Sequence, residues 1–473
     1  MDLHLIHTND VHSHLDAYIT LATQIRQLRN HLSARNETVF LFDIGDHADR
    51  MAPETDATMG LVNASLLRVM NYDAWVFGNN EGLIIPSVYW EALCRQSATP
   101  VLNGNLRKLE DGAAYPFFQD SLLLERNGVK IGIFGLTAPY NEYYHIEGTN
   151  ALDPFEQIPR LAGGLRRQGA DVVVLLSHLG LSVDRNIASH NPDVDMIIGS
   201  HTHHLLEQPE KIGDVWIAQA GKFANYFGHL VLDYDMDKRC LRNVVGCVVA
   251  RDDSLEPDAD LRAILEEWRR RADRILEEVV AVVPEKLYHH FHHESELGNL
   301  VVDEMRKLSG AELAFLNTGV FHFGLESGNL TRKTLLACCP SPINPVVIDL
   351  YGWQIRDVLE KALRKEYTHR RGFGFGFRGN EVGSLAVSGL KIWYGEDDRL
   401  LSIEAAGEPL NDNRIYRIVT GDYLVFSGVY EEIARGTKIR VEPVFLREVM
   451  EKALANPDHL RQAKIKRWLR GGA

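Results

Sequence analysis

The sequence predicts an α/β fold arranged as two domains, on three observations. The chain has 473 residues, which is long for one compact core. Short β-branched runs alternate with amphipathic segments through its first half, as in α/β proteins. From about Pro257 this alternation gives way to a charged amphipathic segment, LRAILEEWRRRADRILEEVV, and it resumes near Leu287. The interruption marks a boundary between two domains.

Seven strand-like runs follow one another in the first half of the chain. They are LHLIH (3–7), TVFLFDIG (38–45), AWVFGN (74–79), VKIGIFGL (129–136), VVVLLSH (172–178), DMIIGSH (195–201) and VWIAQAG (215–221). Helical periodicity lies between several of them, for example around 21–32 and 154–168. Polar residues that can bind metals cluster at the carboxyl ends of these runs, where open α/β sheets place their ligands.

The predicted domain boundaries follow from these changes of pattern. Residues 1–255 form the first domain, 256–285 a helical connector, and 286–473 a second α/β domain that ends in a helical tail from about Phe445. A Gly-rich stretch, RRGFGFGFRGN (370–380), lies within the second domain. It does not resemble a phosphate-binding P-loop, because it lacks the GK[ST] signature.

Composition excludes several classes of protein. The formal net charge of −14 argues against a general nucleic-acid binder, which needs a basic surface. No run approaches the roughly 20 apolar residues of a membrane span, and MDLHLIHTND does not read as a signal peptide. The five cysteines show no CxxC spacing, which fits a reducing compartment. We therefore expect a cytoplasmic protein that does not bind membranes.

Polar residues at the ends of five of these runs form a candidate site for two divalent ions. Taken singly, each has an ordinary alternative, such as an aspartate that caps the next helix. Together they supply enough oxygen and nitrogen ligands for two ions, with Asp46 as the carboxylate that bridges them. Ligands of this kind without thiolate suit Mn, Fe, Zn or Co and do not select among them. The predicted ligands are Asp10, His12 and His203 for one ion, and Asn79, His178 and His201 for the other.

These motifs resemble the 5′-nucleotidase and UDP-sugar hydrolase family of calcineurin-like metallophosphoesterases. The family pattern runs NDxHG, GD, GNHE, a lone His and GHxH. This chain has NDVHS (9–13), GD (45–46), GNNE (78–81), SH (177–178) and GSHTH (199–203). Later landmarks are also similar, namely SELGNLVVDEM (295–305), AELAFLNTGVF (311–321), VSGLKIWY (387–394) and VTGDYLVFSG (419–428). The likeness runs from about residue 3 to 440 and is strongest to the YunD-type branch, which has GNNE in place of GNHE.

The resemblance implies a fold and a reaction. The fold is an N-terminal four-layer α/β/β/α sandwich that carries two metals, followed by a C-terminal 5′-nucleotidase-type domain that binds substrate. The reaction is hydrolysis of a phosphoester or phosphoanhydride, 5′-nucleotidase-like, by attack of a metal-bridging hydroxide. The implied substrate is a small phosphorylated compound, a nucleotide.

The chain departs from the family at the catalytic dyad. The family's GNHE histidine and the aspartate three residues later are replaced by Asn80 and Leu83. Loss of one such group costs about 10²–10³-fold in rate. Asn80 can still donate a hydrogen bond to a phosphoryl oxygen. Three histidines beside the motifs, His14, His47 and His204, are candidate replacements, although packing or exposed histidines are the commoner case.

The substrate-binding positions depart as well. His322 stands where the family has a phosphate-binding arginine, and Val429 where it has a ribose-binding aspartate. The resemblance places a base-stacking aromatic at Tyr423 and a second at Phe375 or Phe377. Arg371 and Arg378 flank that loop and can contact a phosphate. An ordinary Gly-aromatic surface loop is the alternative.

Two other functions remain open on the sequence. One is a catalytically weakened protein that binds a nucleotide or phosphate, as the loss of both dyad members allows. The other is a phosphodiesterase of changed substrate. We favour the hydrolase, because all seven metal-ligand positions hold suitable residues.

Overall fold

The computed structural model describes residues 1–190, 193–374 and 376–471. The chain divides into two compact units, Met1–Ala272 (unit 1) and Asp273–Ala473 (unit 2).

Unit 1 is built on two six-stranded sheets and a small two-stranded one. Its strands are β1 (Asp2–Thr8), β2 (Thr38–Asp43), β3 (Ala74–Val76), β4 (Val101–Leu102), β5 (Leu106–Lys108), β6 (Ser121–Arg126), β7 (Val129–Thr137), β8 (Thr149–Ala151), β9 (Val172–His178), β10 (Met196–Gly199), β11 (Glu210–Ile212), β12 (Val215–Ala218), β13 (Tyr226–Asp235) and β14 (Cys240–Ala250). The first sheet has the order β14-β13-β1-β2-β3-β4, and the second has the order β11-β12-β10-β9-β7-β6.

Unit 1 also contains helices, several of which pack on the outer faces of the two large sheets. They are α1 (Leu15–Ala34), α2 (Pro53–Thr58), α3 (Leu61–Met70), α4 (Asn79–Ile84), α5 (Trp90–Ser97), α6 (Asn141–Tyr144), α7 (Pro154–Arg167) and α8 (Leu181–Ser189). On one side α1 packs against β2 and β13, and α3 packs against α1 and α5. On the other side α7 and α8 bury Ile158, Leu161 and Ile187 against the second sheet.

The inner faces of the two large sheets share one apolar core. Leu3, Phe40 and Val76 of the first sheet pack in the same cluster as Ile131 and Val174 of the second. Strands buried on both faces read as continuous apolar runs, which is why the seven runs stand out in the sequence. All seven contain strands in the structure, and the four-layer α/β/β/α arrangement predicted for this half is confirmed.

The parallel strands position the candidate site. β1, β2, β3 and β4 run parallel, and so do β7, β9, β10 and β12. Loops that follow the carboxyl ends of parallel strands leave from one edge of each sheet. The predicted metal ligands all lie at or just beyond those ends.

The helix α9 (Ala259–Leu276) contains the boundary between the units, and the segment after it is a strand. The strands of unit 2 are β15 (Val279–Val283), β16 (Leu313–Asn317), β17 (Gly328–Thr331), β18 (Pro345–Tyr351), β19 (Leu385–Ser388), β20 (Leu390–Tyr394), β21 (Leu400–Ala405), β22 (Glu408–Pro409), β23 (Ile415–Gly421), β24 (Thr437–Val441) and β25 (Trp468–Arg470). The main sheet has the order β19-β16-β23-β18-β24 and a second sheet the order β22-β21-β20-β25.

The helices of unit 2 are α10 (Glu296–Ser309), α11 (Arg332–Cys338), α12 (Gly352–Ala362), α13 (Lys365–Thr368), α14 (Asp422–Phe426), α15 (Glu431–Ala434), α16 (Leu446–Leu454) and α17 (Pro457–Gln462). The predicted tail contains α16 and α17 but ends in a strand, because β25 pairs in parallel with β20. None of the helices in the described ranges is long and apolar enough to cross a membrane.

Candidate metal centre

Two groups of side chains converge in unit 1. Asp10, His12 and His203 form one group, and Asp46, His178 and His201 form the other, with the ligand atoms of each group within 4.8 Å of one another. In the first group the Nε2 atoms of His12 and His203 lie 3.0 Å apart. The first group contains the three ligands predicted for one ion, and the second contains Asp46 with two of the three predicted for the other, His178 and His201.

The Asp46 carboxylate lies between the two groups. Its Oδ1 is 3.1 Å from Nε2 of His178, and its Oδ2 is 3.8 Å from Nε2 of His12. The predicted amide ligand joins the second group, since Oδ1 of Asn79 is 3.0 Å from Nε2 of His178. One oxygen of Asp46 therefore faces each group, as a bridging carboxylate requires.

The loops that carry these ligands are held in strained backbone conformations. The backbone N–H groups of Asp10 and His12 donate to the carbonyls of Gly45 and Asp46, which joins the loops after β1 and β2. Left-handed backbone costs about 1–3 kcal/mol at a residue other than glycine, and such strain concentrates at functional sites. Five of the seven predicted ligands adopt it, namely Asp10 (φ 50°), His12 (45°), Asp46 (52°), His201 (73°) and His203 (61°).

Neighbouring groups orient the ligands. Ser200 and Asn9 donate hydrogen bonds of 2.6 and 2.8 Å to Oδ2 of Asp10, which turns Oδ1 toward the histidines. The carbonyl of Ile44 lies 2.7 Å from Nδ1 of His178 and favours the tautomer with a free Nε2. Glu81, the last residue of GNNE, accepts from the backbone N–H groups of Asp46 and Ala48. Glu81 thus fixes the loop that presents the bridging carboxylate.

Replacing Ser200 by alanine should weaken binding of the ion at the Asp10 group about 10–100-fold, the usual effect of losing a group that orients a ligand. The affinity is measured by competition with a chelating dye. Ser189→Ala, at an exposed position on α8, is the matched control. Equal affinities for the two variants would mean that Asp10 is held without this hydroxyl.

The electrostatics of the site fit divalent cations. Burial lowers the pKa of His178, but the Asp46 carboxylate, together with Asp10 and the carbonyl of Ile44, outweighs burial and raises that pKa to about 10. Burial instead keeps His201 and His203 neutral, with each pKa lowered to about 4. Metals bind the neutral form of imidazole, which is the form of His201 and His203. The raised pKa of His178 indicates that the site favours a positive charge beside Asp46, and a divalent cation would supply that charge. The donor set, the charge and the geometry therefore all fit a binuclear metal site.

Asn80 lies beside the first group of ligands. Its backbone N–H donates to Oδ1 of Asp46, its Nδ2 lies 3.0 Å from Nδ1 of His12, and the same Nδ2 donates to the carbonyl of Ala48. The side chain therefore contacts a ligand directly and stands at the edge of the metal centre.

The three candidate replacement histidines occupy different environments. His47 is buried, contacts Asn63 through Nδ1, and has its pKa lowered to about 3 by burial. His14 stacks on Phe223 with ring centroids 4.0 Å apart, and His204 is exposed with Nδ1 beside Thr202. His47 and His14 are packed within the unit.

The predicted substrate-binding residues lie in unit 2 at two places. Phe377 and Tyr423 are buried and stack on each other, with ring centroids 4.4 Å apart and planes inclined by 17°. The backbone N–H of Arg378, next to Phe377, donates to Ser341. Phe375 lies outside the described residues.

His322 lies elsewhere, in the wall of a cavity of about 600 Å³ that Tyr288, His289 and Phe323 also line. Neither Phe377 nor Tyr423 is among the described residues that line this cavity. The stacked rings of Phe377 and Tyr423 are thus one candidate region for contact with substrate, and the His322 imidazole belongs to another.

Sequence reasoning missed several residues that shape the site. Asn9, Ser200 and Glu81 lie inside the motifs NDVHS, GSHTH and GNNE. Their position next to predicted ligands in the sequence was the signal that could have identified them. Tyr140 has no such signal: it follows β7 in a loop, and its hydroxyl lies 2.9 Å from Nε2 of His201. Only the folded chain brings these two residues together.

Two family models match the chain. Residues 3–205 match the calcineurin-like phosphoesterase model, and residues 279–431 match the C-terminal domain of 5′-nucleotidase. The uncharacterized metallophosphoesterase YunD of Bacillus subtilis (strain 168) is 31% identical over 461 residues, which covers 96% of this chain and 99% of YunD. A 5′-nucleotidase of Diplobatis ommata is 23% identical over 93% of this chain and 85% of its own.

Solved structures share the fold over nearly the whole chain. The 5′-nucleotidase precursor from Thermus thermophilus superposes with a TM-score of 0.61 at 22% identity and covers 99% of both chains. The NAD nucleotidase (NadN) of Haemophilus influenzae gives a TM-score of 0.68 at 15% identity, over 99% of this chain and 97% of its own. These structures show the fold, and the two family models with the 31% identity to YunD show that the chain belongs to the calcineurin-like phosphoesterases that carry a 5′-nucleotidase C-terminal domain.

Proposed function

We propose that this metallophosphoesterase hydrolyses a phosphoester or phosphoanhydride bond of a nucleotide and holds two divalent ions to do so. The observation that carries the proposal is the convergence of Asp10, His12 and His203 and of Asp46, His178 and His201 into two groups that share the Asp46 carboxylate. The metal identity stays within Mn, Zn, Fe and Co, because the donors are oxygen and nitrogen.

The residues have distinct tasks in this proposal. Two divalent ions held by Asp10, His12 and His203 and by Asp46, His178 and His201 would supply the Lewis acidity that activates water at neutral pH and the positive charge that neutralises a phosphoryl group. Asp46, held by Glu81 through the loop backbone, keeps the two ligand groups together. Asn80 donates from its amide at the edge of the first group, and it carries no proton that it can transfer to a leaving group.

That limit on proton transfer favours substrates with good leaving groups. A general acid contributes least to the rate when the leaving group is already stable as an anion, as a departing nucleotide or pyrophosphate is. Similarity to the Diplobatis ommata 5′-nucleotidase supports a nucleotide substrate. We place metal binding in residues 1–255 and substrate binding in 286–473, with His322, Phe377, Arg378 and Tyr423 as contacts.

A cytoplasmic location is part of the same proposal. It is supported by the five cysteines, all of which are free thiols in the described residues.

Metal removal and reloading tests the function. Protein stripped with a chelator should have no phosphatase activity, and Mn²⁺ should restore it. Activity is measured on AMP, UDP-glucose, 2′,3′-cyclic AMP, an aryl phosphomonoester and an aryl phosphodiester. We expect the substrate with the most acidic leaving group to turn over fastest.

A different outcome identifies the alternative function. If the reloaded protein bound two ions and bound AMP, but turned over no member of the panel, the chain would be a binding protein. Preference for the cyclic nucleotide and the diester over both monoesters would identify a phosphodiesterase.

A further inference from the structure

The second ligand group has a tyrosine hydroxyl beside it. The hydroxyl of Tyr140 lies 2.9 Å from Nε2 of His201, and the rings of the two residues are 5.8 Å apart between centroids. The side chain of Tyr140 is also 38% exposed, so it borders both the ligand group and solvent. Asn80 contacts the other group, through His12. Oδ1 of Asn80 also accepts from Nδ2 of Asn79 at 3.4 Å, so Asn80 lies between the two groups, whereas Tyr140 lies beside His201.

The loop that carries Tyr140 is fixed at both ends. At its start, the backbone N–H of Ala138 donates to the carbonyl of His178, itself a predicted ligand. At its end, Asn141 exchanges two hydrogen bonds with the backbone of Ala151, and the ring of Tyr144 is fully buried. The carbonyl of Tyr140 accepts from the backbone N–H groups at 143 and 144. The phenol is therefore held in place before any ligand arrives, which is what transition-state stabilisation requires.

We propose that Tyr140 is a catalytic residue that donates a hydrogen bond to a non-bridging phosphoryl oxygen at the His201 side of the site. This inference rests on the proposed function. Negative charge spreads over the three equatorial oxygens of a transferring phosphoryl group, so a fixed O–H donor there stabilises the transition state. The phenol keeps its proton throughout, and no bond to Tyr140 forms or breaks. Tyr140 thereby takes over part of what the residues at 80 and 83 no longer supply.

The test is Tyr140→Phe, which removes the hydroxyl and keeps the ring. In the Mn²⁺-loaded protein we expect kcat to fall about 10²-fold, the typical effect of deleting one such donor. Orthovanadate, a mimic of the transferring phosphoryl group, should bind at least about tenfold more weakly by calorimetry, for the same reason. Bound Mn²⁺ should stay at the wild-type ratio. Tyr89→Phe, at an exposed position of the same unit, is the matched control and should change none of these values.

Two results would overturn the proposal. If kcat and vanadate affinity stayed within about twofold of wild type, Tyr140 would have no part in stabilising phosphoryl oxygens. If instead the variant lost Mn²⁺, Tyr140 would be a positioning residue for His201. The vanadate titration tests the role of Tyr140 even if the wild-type protein turns over no substrate. The proposed function would then be wrong, but weaker vanadate binding in Tyr140→Phe than in wild type and Tyr89→Phe would still assign the contact between Tyr140 and the phosphoryl mimic.

Discussion

Asp46→Asn should lower kcat more than about 10³-fold, the largest effect that we expect of any single substitution. One oxygen of Asp46 faces each ligand group, so its charge holds both halves of the site together. An amide has no negative charge, and the loss weakens the charge stabilisation on which phosphoryl transfer depends. Rates are measured with the best substrate of the panel, and bound metal is measured by elemental analysis, with a fall below two ions per chain expected.

Asp237→Asn is the matched control for this substitution. Asp237 is exposed in the turn between β13 and β14, and the same change of charge there should leave both rate and metal content unaltered. Wild-type activity in Asp46→Asn would contradict the assignment of the bridging ligand.

Gly78→Ala should disrupt the metal centre from the backbone side. A Cβ atom at this position would overlap both Oδ1 and the backbone nitrogen of Asp46, far inside any allowed contact. The loop must move to admit it, which we expect to cost about 2–3 kcal/mol of unfolding free energy and to displace the carboxylate. The measurements are Mn²⁺ stoichiometry and a thermal unfolding midpoint, which should fall by about 4–12 °C.

Gly164→Ala is the control for that variant. Gly164 lies within α7, and its added Cβ would meet only the tip of Arg167 at 3.9 Å. Alanine is the better helix former, so stability should rise by up to about 1 kcal/mol. If Gly78→Ala retained both metal ions and the wild-type midpoint, the close packing of Gly78 on Asp46 would have no functional consequence.

The fold of unit 1 could be predicted because its strands are buried on both faces. Runs such as VVVLLSH stand out against their surroundings, and His178 at the end of that run marks the edge where ligands gather. Strand β25 escaped prediction, since three residues, Trp468–Arg470, carry little signal of their own and pair with β20 from far along the chain. A strand of this kind depends on its partner rather than on its own propensity.

The same distinction applies to the site. Asp10 and His12 follow the same strand, and their spacing predicts that both bind one ion, because the whole motif is local in sequence. The approach of Tyr140 to His201 depends on how the loops after β7 and β10 meet, and no pattern in either loop encodes that contact. Similarly, the stacking of Phe377 on Tyr423 joins residues separated by 46 positions. Local motifs could be predicted, whereas contacts between loops required the structure.

Anomalous diffraction from crystals of the Mn²⁺-loaded protein tests the central claim most directly. We predict two manganese peaks per chain, one among Asp10, His12 and His203, and one among Asn79, His178 and His201, with Asp46 between them. A single peak, or peaks away from these side chains, would contradict the two-metal site and the hydrolase built on it.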